Sequence, residues 1–458
     1  MDELNEKCGV IGIFGKGLDV SRLSFYGLFA LQHRGQESSG IAVSNGWKID
    51  CFKNVGLVTQ AYSESDISSL KGHISVGHNR YSTFGGTGIN HASPIISRDG
   101  RLALSHNGNL PSVMALQSFL SSKDIDVSSR NDSQMMTDAV GYFMEQGRSI
   151  GEAVMEAYPL FTGAFSVVAM SKDTLVAFKD HCGIRPLALG KIDGGYVVAS
   201  ETCAFNTIGA EFIREVRPGE MIIINSSGVR CVQLADPDQK FDVFEFVYFS
   251  RPDSIILGRP VYDVRRKFGE ILAVESPLNV DIIIPVPETA IPVAVGYSAI
   301  SGIPLEMALV KNRYIHRTFI EPDSRSRQLG VKLKLNPLTS IIKGKRVAVV
   351  DDSIVRGTTS AQIVKALFDA GAVEVHFLVS SPPVRFPDFY GIDTPKKDQL
   401  VASSKSVEEI RQFLGATSLN YLSIEGLVKG VGLPREKLSL SCFDGVYPID
   451  LLERSKEV

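Results

Sequence analysis

The chain has 458 residues, and its 48 basic and 51 acidic side chains leave a formal net charge of −3. This length suggests about three domains, or two large ones, and 44% hydrophobic with 22% charged residues is typical of a globular protein with a large core. The near-neutral charge argues against nucleic-acid binding, which usually needs a basic face, but a few local arginines or helix N-termini could still bind a small anion.

Cysteine spacing and hydropathy exclude two further classes of protein. The six cysteines include no CxxC pair and are widely scattered, which is neither a disulfide framework nor a zinc-site spacing. No apolar run reaches the roughly 18 residues that a membrane span needs, so no membrane partner is expected. Residues 1–7 are acidic and polar, unlike a secretory signal. These features predict a reducing compartment, the cytoplasm.

The first half of the chain shows a layered α+β pattern. A helix is predicted over Leu23–Gln32, and a second over Asp132–Gln146 because its methionines and other apolar residues repeat at helical spacing. The motif HNGNL is predicted to be a turn after a strand at Leu102–Ser105. Strands are predicted at Val10–Phe14, Gly40–Val43, Ile49–Phe52, Ile74–Gly77, Phe165–Ala169, Leu175–Lys179, Tyr196–Ser200 and Glu220–Asn225.

The pattern changes after about Gln239, where strands begin to alternate with helices. Val280–Pro285 and Lys345–Val350 are continuous apolar runs, as expected for strands buried on both faces. A predicted helix over Thr359–Ala370 and a strand over Val373–Val379 complete a βαβ unit of a parallel sheet. From Ser406 to Val431 the pattern is helical, with breaks expected at Gly415 and Gly426.

The most specific local signal is the segment KRVAVVDDSIVRGTTS, Lys345–Ser360. A buried strand ends in Asp351 and Asp352, and the N-terminus of a helix follows, which is where a parallel sheet binds phosphate. The two carboxylates would repel a phosphate, so they suit neighbouring hydroxyl groups or Mg²⁺. An acidic strand end that merely caps a helix is the simpler alternative. Further donors in the loop favour a sugar phosphate as ligand: Ser353, Arg356, Gly357, Thr358 and Thr359.

Cys8 opens the segment CGVIGIFG. A single cysteine is usually a small buried apolar residue. If residues 1–7 were removed, however, Cys8 would carry a free α-amine with a pKa of about 8. That amine could take the proton of its own thiol, so no histidine would be needed.

Further motifs extend these two signals to a family. LQHRGQESSG, GHNRYSTFG, HNGNL and RNDSQ, together with Cys8, resemble the glutamine amidotransferase domain of the N-terminal-nucleophile class. VVDDSIVRGTT resembles the phosphoribosyl pyrophosphate (PRPP) motif of type I phosphoribosyltransferases. In this order, from Cys8 to about Pro448, the motifs resemble the glutamine PRPP amidotransferase family.

The resemblance implies a fold and a reaction. It implies a propeptide at 1–7, an αββα N-terminal-nucleophile hydrolase domain at 8–238, and a phosphoribosyltransferase domain with a parallel sheet and C-terminal helices at 239–458. The first domain would hydrolyse glutamine, and a covered path would carry the ammonia to PRPP. The products would be phosphoribosylamine, pyrophosphate and glutamate, in the first step of purine synthesis. A homotetramer inhibited by purine nucleotides is also implied.

The resemblance also implies roles for single residues. Cys8 would be the nucleophile, and Asn107 with the Gly108 N–H would stabilise the oxyanion. Arg80 would bind the α-carboxylate of glutamine and Asp132 its α-amine, with Arg34 supporting this glutamine-binding site. Arg80 and Asp132 could otherwise be surface ion pairs.

At the second site, the resemblance implies that Asp351 and Asp352 hold the ribose hydroxyls and Mg²⁺, while the loop from Asp352 to Thr359 wraps the 5′-phosphate. The turn Pro285–Ala290 would bind pyrophosphate, without a metal-binding role for Thr289. A basic loop at Lys311–Asn336 would close over the substrate, with contacts from Lys311 and Tyr314.

The chain departs from the family at several positions. Many members hold a four-iron cluster with four cysteines, and the corresponding residues here are Asp242, Asp388, Ser439 and Cys442. One thiol cannot hold such a cluster, so no iron–sulfur cluster is predicted. Gln134 stands where a glutamate is usual, and Ser93 where a glutamine is usual.

Three alternatives remain open at this stage. An amidotransferase that aminates a sugar phosphate would need an isomerase domain in place of the PRPP motif. A PRPP- or nucleotide-sensing regulator without catalysis would not need Cys8, Arg80, Asn107 and Asp132. A dinucleotide enzyme is disfavoured because the glycines at 9, 12 and 15 do not form GxGxxG.

Overall fold

Two antiparallel sheets face each other in the first half of the chain. The structure is a computed structural model, and it describes residues 8–81, 89–312, 335–392 and 396–458. The seven strands of the first sheet are, in spatial order, Glu211–Glu215, Ala188–Ile192, Gly195–Ala199, Gly9–Phe14, Ile74–Arg80, Ser38–Ser44 and Ile49–Val55. The six strands of the second sheet are Gly228–Gln233, Glu220–Asn225, Leu175–Lys179, Thr162–Met170, Ala103–Ser112 and Ile95–Ile96.

Helices cover the outer face of each sheet, so the first half has four layers. Apolar residues from both sheets, such as Val10, Val76, Val168 and Ile222, fill the space between them. The helices Val20–Ala30, Val58–Ala61, Glu64–Ser69 and Thr202–Ile208 pack on the first sheet. The helices Met114–Ser121, Asp132–Glu145 and Ile150–Ala157 pack on the second. The predicted αββα architecture is confirmed.

The second half contains a four-stranded parallel sheet, as predicted. Its strand order is Ile282–Pro285, Arg346–Asp351, Glu374–Val379 and Ser418–Tyr421, with apolar clusters on both faces. The surrounding helices are Val261–Glu275, Ile291–Ser301, Thr339–Ile342, Thr358–Asp369, Val401–Ser404, Val407–Leu414, Ile424–Val431 and Ser441–Asp444. Three short strand pairs accompany the sheet: Phe241–Asp242 with Leu438–Ser439, Ile255–Ile256 with Arg259–Pro260, and Leu309–Lys311 with Leu335–Pro337. Within the described residues, no helix is long and apolar enough to cross a membrane.

The helix Asp132–Glu145 matches its prediction to within one residue, because its first turn is closed by side chains. The Asn131 side chain accepts from the Gln134 N–H at 2.8 Å, and the Gln134 side chain accepts from the Asn131 N–H at 2.9 Å. This reciprocal pair is a capping box. Either glutamine or glutamate can take this position of a capping box, so Gln134, which stands where the family usually has a glutamate, helps to begin the helix.

Two predicted elements were wrong. HNGNL is not a turn but part of the long strand Ala103–Ser112, because it continues to pair with the strand Thr162–Met170. The helical stretch from Ser406 to Val431 contains the strand Ser418–Tyr421, whose pairing with Glu374–Val379 overrides local helical spacing. The break at Gly415 is confirmed, whereas Gly426 lies in the first turn of a helix.

Candidate active site

Cys8 lies at the start of the strand Gly9–Phe14, beside the end of the strand that carries Arg80. The register pairs Gly9 with Asn79, the residue before Arg80. Burial raises the pKa of the Cys8 thiol to about 11, although Arg80 and the Tyr81 N–H favour the thiolate. The thiol is therefore protonated at neutral pH and needs a base to become a nucleophile.

Arg80 and Asp132 both act electrostatically on Cys8, so the structure brings the two predicted glutamine ligands to one site. Arg80 is buried at the end of its strand, with Nη1 3.8 Å from Glu37 Oε2. Asp132 begins its helix, and its Oδ2 accepts a hydrogen bond of 3.3 Å from the Leu110 N–H. A cation and an anion side by side suit the carboxylate and the amine of a free amino acid.

Asn107 is a fully buried polar residue that follows His106 on the strand Ala103–Ser112. Within the described residues, neither polar atom of its amide has a hydrogen-bond partner. Buried polar groups are normally paired, so this amide is suited to bind a ligand oxygen. Gly108 follows with a φ of +150°, which a glycine adopts readily. This geometry agrees with an oxyanion site, whose assignment stays a prediction.

The sequence interpretation missed His106 and Glu37, although both lie inside motifs that it singled out. His106 Nδ1 lies 3.1 Å from Ser133 Oγ and 3.8 Å from Asp132 Oδ2. The His106 carbonyl pairs with His78 Nε2 at 3.1 Å, which connects the two sheets beside Asn107. Glu37 faces Arg80 and acts on the thiol, and burial raises its pKa.

Arg34 is buried behind the start of the Cys8 strand, where acidic side chains hold its guanidinium. Its side chain is only 1% exposed and forms ion pairs with Glu201 and Glu245. Nη2 also donates to Ser250 Oγ at 3.1 Å, so Nε, Nη1 and Nη2 all have protein partners. A Cβ atom on Gly9 would lie 3.4 Å from Arg34 Cβ, which places the arginine directly against the start of the nucleophile's strand.

The second cluster of predicted residues lies at the carboxyl end of the strand Arg346–Asp351. Asp351 Oδ1 accepts from the Asp352 N–H at 3.0 Å, and Asp352 Oδ1 accepts from Ser353 Oγ at 2.9 Å. Gly357 precedes the helix Thr358–Asp369 with a φ of +80°. A residue with a side chain would be strained there, so glycine allows the sharp entry that exposes the helix N-terminus.

The remaining predicted residues surround this loop or lie outside the described residues. Arg356 Nη2 donates to Gln399 Oε1 at 2.8 Å, and Thr358 and Thr359 begin the helix. The turn Pro285–Ala290 follows the neighbouring strand, where the Val286 N–H donates to the Val350 carbonyl at 2.8 Å. Lys311 ends a short exposed strand. Tyr314, residues 1–7, and most of the Lys311–Asn336 loop lie outside the described residues.

Of the four positions that the resemblance assigned to cluster ligands, Asp242 and Asp388 contact the buried Arg185. Arg185 pairs with Asp242 and with Asp388, and all three act on the Cys442 thiol. Asp242 is paired with Ser439 between two short strands. One thiol, two carboxyl groups and a hydroxyl around a guanidinium do not fit a four-iron cluster, which needs several thiolates.

Comparison with known proteins matches each half of this arrangement. Residues 78–207 match the model of a glutamine amidotransferase domain family. The chain is 44% identical to the amidophosphoribosyltransferase of Mycobacterium tuberculosis strain H37Rv over 97% of this chain and 87% of that protein. It is 42% identical to the amidophosphoribosyltransferase of Bacillus subtilis strain 168 over 98% of this chain and 96% of that protein.

Two solved structures resemble the chain over nearly its whole length. The glutamine PRPP amidotransferase of B. subtilis, complexed with ADP and GMP, superposes with a TM-score of 0.90 at 41% identity, covering 97% of this chain and 98% of that one. A structure described as the allosteric regulatory enzyme of purine biosynthesis superposes with a TM-score of 0.92 at 41% identity, covering 98% of both chains.

Proposed function

Because the chain belongs to the amidophosphoribosyltransferase family, we propose that it transfers the amide nitrogen of glutamine to PRPP in the first step of purine synthesis. The observation that carries this function is the similarity over 97% of the chain, a span that covers both halves of the fold. The similar proteins are named as amidophosphoribosyltransferases, so a regulator without catalysis lacks this support.

In the first half-reaction, the Cys8 sulfur attacks the side-chain carboxamide of glutamine. The α-amine of a Cys8 freed from residues 1–7 takes the thiol proton, so that the sulfur can react without a histidine partner. Asn107 and the Gly108 N–H stabilise the oxyanion, and ammonia leaves as the thioester forms. Water then hydrolyses the thioester to glutamate.

Substrate binding in this half-reaction follows from the charges around Cys8. Arg80 holds the α-carboxylate and Asp132 the α-amine, while Arg34 supports the strand that carries Cys8. The strongest structural support is the Asn107 amide, which has no partner among the described residues, because burial without a partner is costly unless a ligand supplies one.

In the second half-reaction, ammonia attacks the anomeric carbon of PRPP and displaces pyrophosphate. Asp351 and Asp352 hold the ribose hydroxyls, and the loop from Asp352 to Thr359 holds the 5′-phosphate at the helix N-terminus. The turn Pro285–Ala290, with Lys311 and Tyr314, is proposed to face the pyrophosphate. A covered path for ammonia between the two sites is part of the proposal.

The proposed metal is Mg²⁺, held by Asp351 and Asp352. The described residues contain no group of three or more His, Cys, Asp or Glu side chains arranged so that they could hold a metal ion. Two adjacent carboxyl groups suit Mg²⁺, which usually takes one or two carboxylates and completes its shell with substrate phosphates and water. When bound, the ion would neutralise charge on the departing pyrophosphate. No iron–sulfur cluster is proposed, and iron analysis of the purified protein tests that part.

Four further properties belong to the proposal. The complex of the B. subtilis structure with ADP and GMP supports purine nucleotides as inhibitors of this chain. The six unpaired cysteines support a reducing compartment such as the cytoplasm. A homotetramer and the domain boundary near 238 rest on the resemblance to the family.

Glutamine-dependent release of pyrophosphate from PRPP tests the proposed function. The purified protein should release pyrophosphate and form glutamate in equal amounts when Mg²⁺, PRPP and glutamine are all present. Ammonium at alkaline pH should replace glutamine. If the protein binds PRPP but releases no pyrophosphate with either nitrogen source, the regulator alternative becomes the better description.

A further inference from the structure

Arg185 is a fully buried arginine that connects the two halves of the chain. It lies in the first half, and its guanidinium pairs with Asp242 and, at 3.6 Å each, with Glu245 and Asp388. These three acids all belong to the second half. A buried cation needs such partners, because removing a charge from water is costly unless opposite charges surround it.

The same arginine holds a short turn, Asp388–Ile392, in one shape. Arg185 Nε donates to the Tyr390 carbonyl at 2.9 Å. Asp388 Oδ1 accepts from the backbone N–H groups of Tyr390 and Ile392, each at 2.8 Å. A side chain that binds the backbone two and four residues later closes a tight turn. The Asp388–Ile392 turn is thus held by its own aspartate and by Arg185.

This turn packs directly against the strand that carries Asn107 and Gly108. The Phe389 carbonyl accepts a hydrogen bond from Asn109 Nδ2 at 2.8 Å. Gly391 has a φ of +113°, and a Cβ atom on it would lie 3.1 Å from the carbonyl carbon of Gly108 and 3.2 Å from its Cα. The contact is between two backbones, and a Cβ atom there would force the Gly108 backbone to shift by a few tenths of an ångström.

We propose that Arg185 and the Asp388–Ile392 turn are positioning elements for the glutamine half-reaction, which hold the Asn107–Gly108 backbone where it stabilises the oxyanion. The inference rests on the proposed function. It gives Asp242 and Asp388 a role in this chain without a cluster. The buried ion group around Arg185 fixes a turn of the second half, and that turn supports the oxyanion site of the first half.

The physical reason is the strict geometry of oxyanion donors. Such donors act at about 2.7–3.1 Å from the oxyanion, and the loss of one costs about 100-fold or more in turnover. A displacement of about 1 Å can have a comparable effect. Because the oxyanion forms only in the transition state, a displaced Gly108 should lower kcat for glutamine and leave its KM nearly unchanged.

The first test is Gly391→Ala, assayed with glutamine and, separately, with ammonium as the nitrogen source. We expect glutamine-dependent kcat to fall about 10- to 100-fold, the KM for glutamine to stay within about threefold, and ammonium-dependent activity to be retained. The matched control is Gly302→Ala. Gly302 has a φ of +72° with open space around it, so the control carries backbone strain without the contact to Gly108. It should retain both activities.

A second pair of variants tests the turn without adding an atom beside Gly108. Asp388→Asn keeps an oxygen that can accept from both N–H groups, and Arg185 keeps its ion pairs with Asp242 and Glu245. It should retain most glutamine-dependent activity. Asp388→Ala removes the acceptor and should lower glutamine-dependent kcat about tenfold or more, while ammonium-dependent activity is retained.

Unchanged glutamine-dependent kcat in both Gly391→Ala and Asp388→Ala would overturn the inference. An equal loss of glutamine- and ammonium-dependent activity in both variants would overturn it as well, because the turn would then support the fold in general. If the unmodified protein has neither activity, the proposed function fails first and the inference falls with it.

Discussion

The Nη2 atom of Arg34 lies 2.5 Å from Oε2 of Glu245, across 211 residues of sequence. Arg34 follows the first helix of the αββα half, and Glu245 begins a π-helix, Glu245–Phe249, in the second half. The two side chains are 1% and 0% exposed. Because water cannot screen either charge, Glu245 depends on Arg34, and Arg34 depends on Glu245 and on Glu201, with which it also pairs.

Removal of the charge at Glu245 should therefore destabilise the protein strongly. We expect Glu245→Gln to lower the free energy of unfolding by about 3 kcal/mol, since the buried guanidinium of Arg34 then keeps only Glu201 as an acidic partner. Denaturation by guanidinium chloride measures this loss. Glu64→Gln is the matched control, because Glu64 pairs with Arg22 on the exposed surface and such pairs contribute little. Equal effects of the two variants would contradict the interpretation.

Replacement of the nucleophile should separate the two half-reactions. Cys8→Ala is expected to lose glutamine-dependent activity to below detection, because no sulfur remains to form the thioester. Ammonium-dependent release of pyrophosphate should remain within about twofold, since that chemistry does not use Cys8. Cys51→Ala is the control, as Cys51 lies on a strand away from the predicted site residues.

The state of the N-terminus gives an independent check of the same mechanism. Intact-mass analysis of active enzyme should show a chain that begins at Cys8. Full activity with residues 1–7 retained would contradict the α-amine as base.

Removal of one carboxylate from the phosphate loop should affect both nitrogen sources equally. Asp352→Asn is expected to lower activity with glutamine and with ammonium about 100-fold, because both need bound PRPP and Mg²⁺. The expected rise in KM for PRPP is measured by steady-state kinetics at several Mg²⁺ concentrations. Asp369→Asn, at the far end of the helix Thr358–Asp369, is the control. A loss with glutamine alone would contradict the assignment.

Stability should fall as the pH falls, partly through His78. Burial lowers the pKa of His78 to about 3, so the folded protein keeps this imidazole neutral while the unfolded chain protonates it below its ordinary pKa of about 6.5. Below that pKa the unfolded state binds more protons than the native state, so the free energy of unfolding falls as the pH decreases. From pH 7 to about pH 5, this effect alone amounts to about 2 kcal/mol.

His78→Gln tests this linkage, because glutamine keeps an N–H donor for the His106 carbonyl but does not titrate. Urea denaturation of both proteins at the two pH values gives the comparison. The variant should lose about 2 kcal/mol less than the unmodified protein. The same pH dependence in both proteins would show that His78 titrates normally in the native state.

The two errors in the predicted elements have one physical cause. HNGNL contains glycine and asparagine, which favour turns locally, yet it forms part of a strand because the neighbouring strand satisfies its backbone hydrogen bonds. The strand Ser418–Tyr421 likewise lies inside an apparently helical stretch and is specified by its parallel neighbour. Long periodic elements, such as the helix that begins at Asp132, were predictable because their own apolar spacing and capping residues define them.

The sequence by itself determined the class of chemistry, because a reactive cysteine, a double aspartate before a helix and their flanking motifs are local patterns. It also identified Asp242, Asp388, Ser439 and Cys442 as unsuitable for a cluster, since ligand chemistry depends on residue type alone. Only the tertiary structure decided that Asp242 and Asp388 pair with Arg185, that Arg34 lies behind the Cys8 strand, and that Gly391 packs against Gly108. Those relationships join residues about 200 or more positions apart in several cases, and close packing rather than local pattern brings them together.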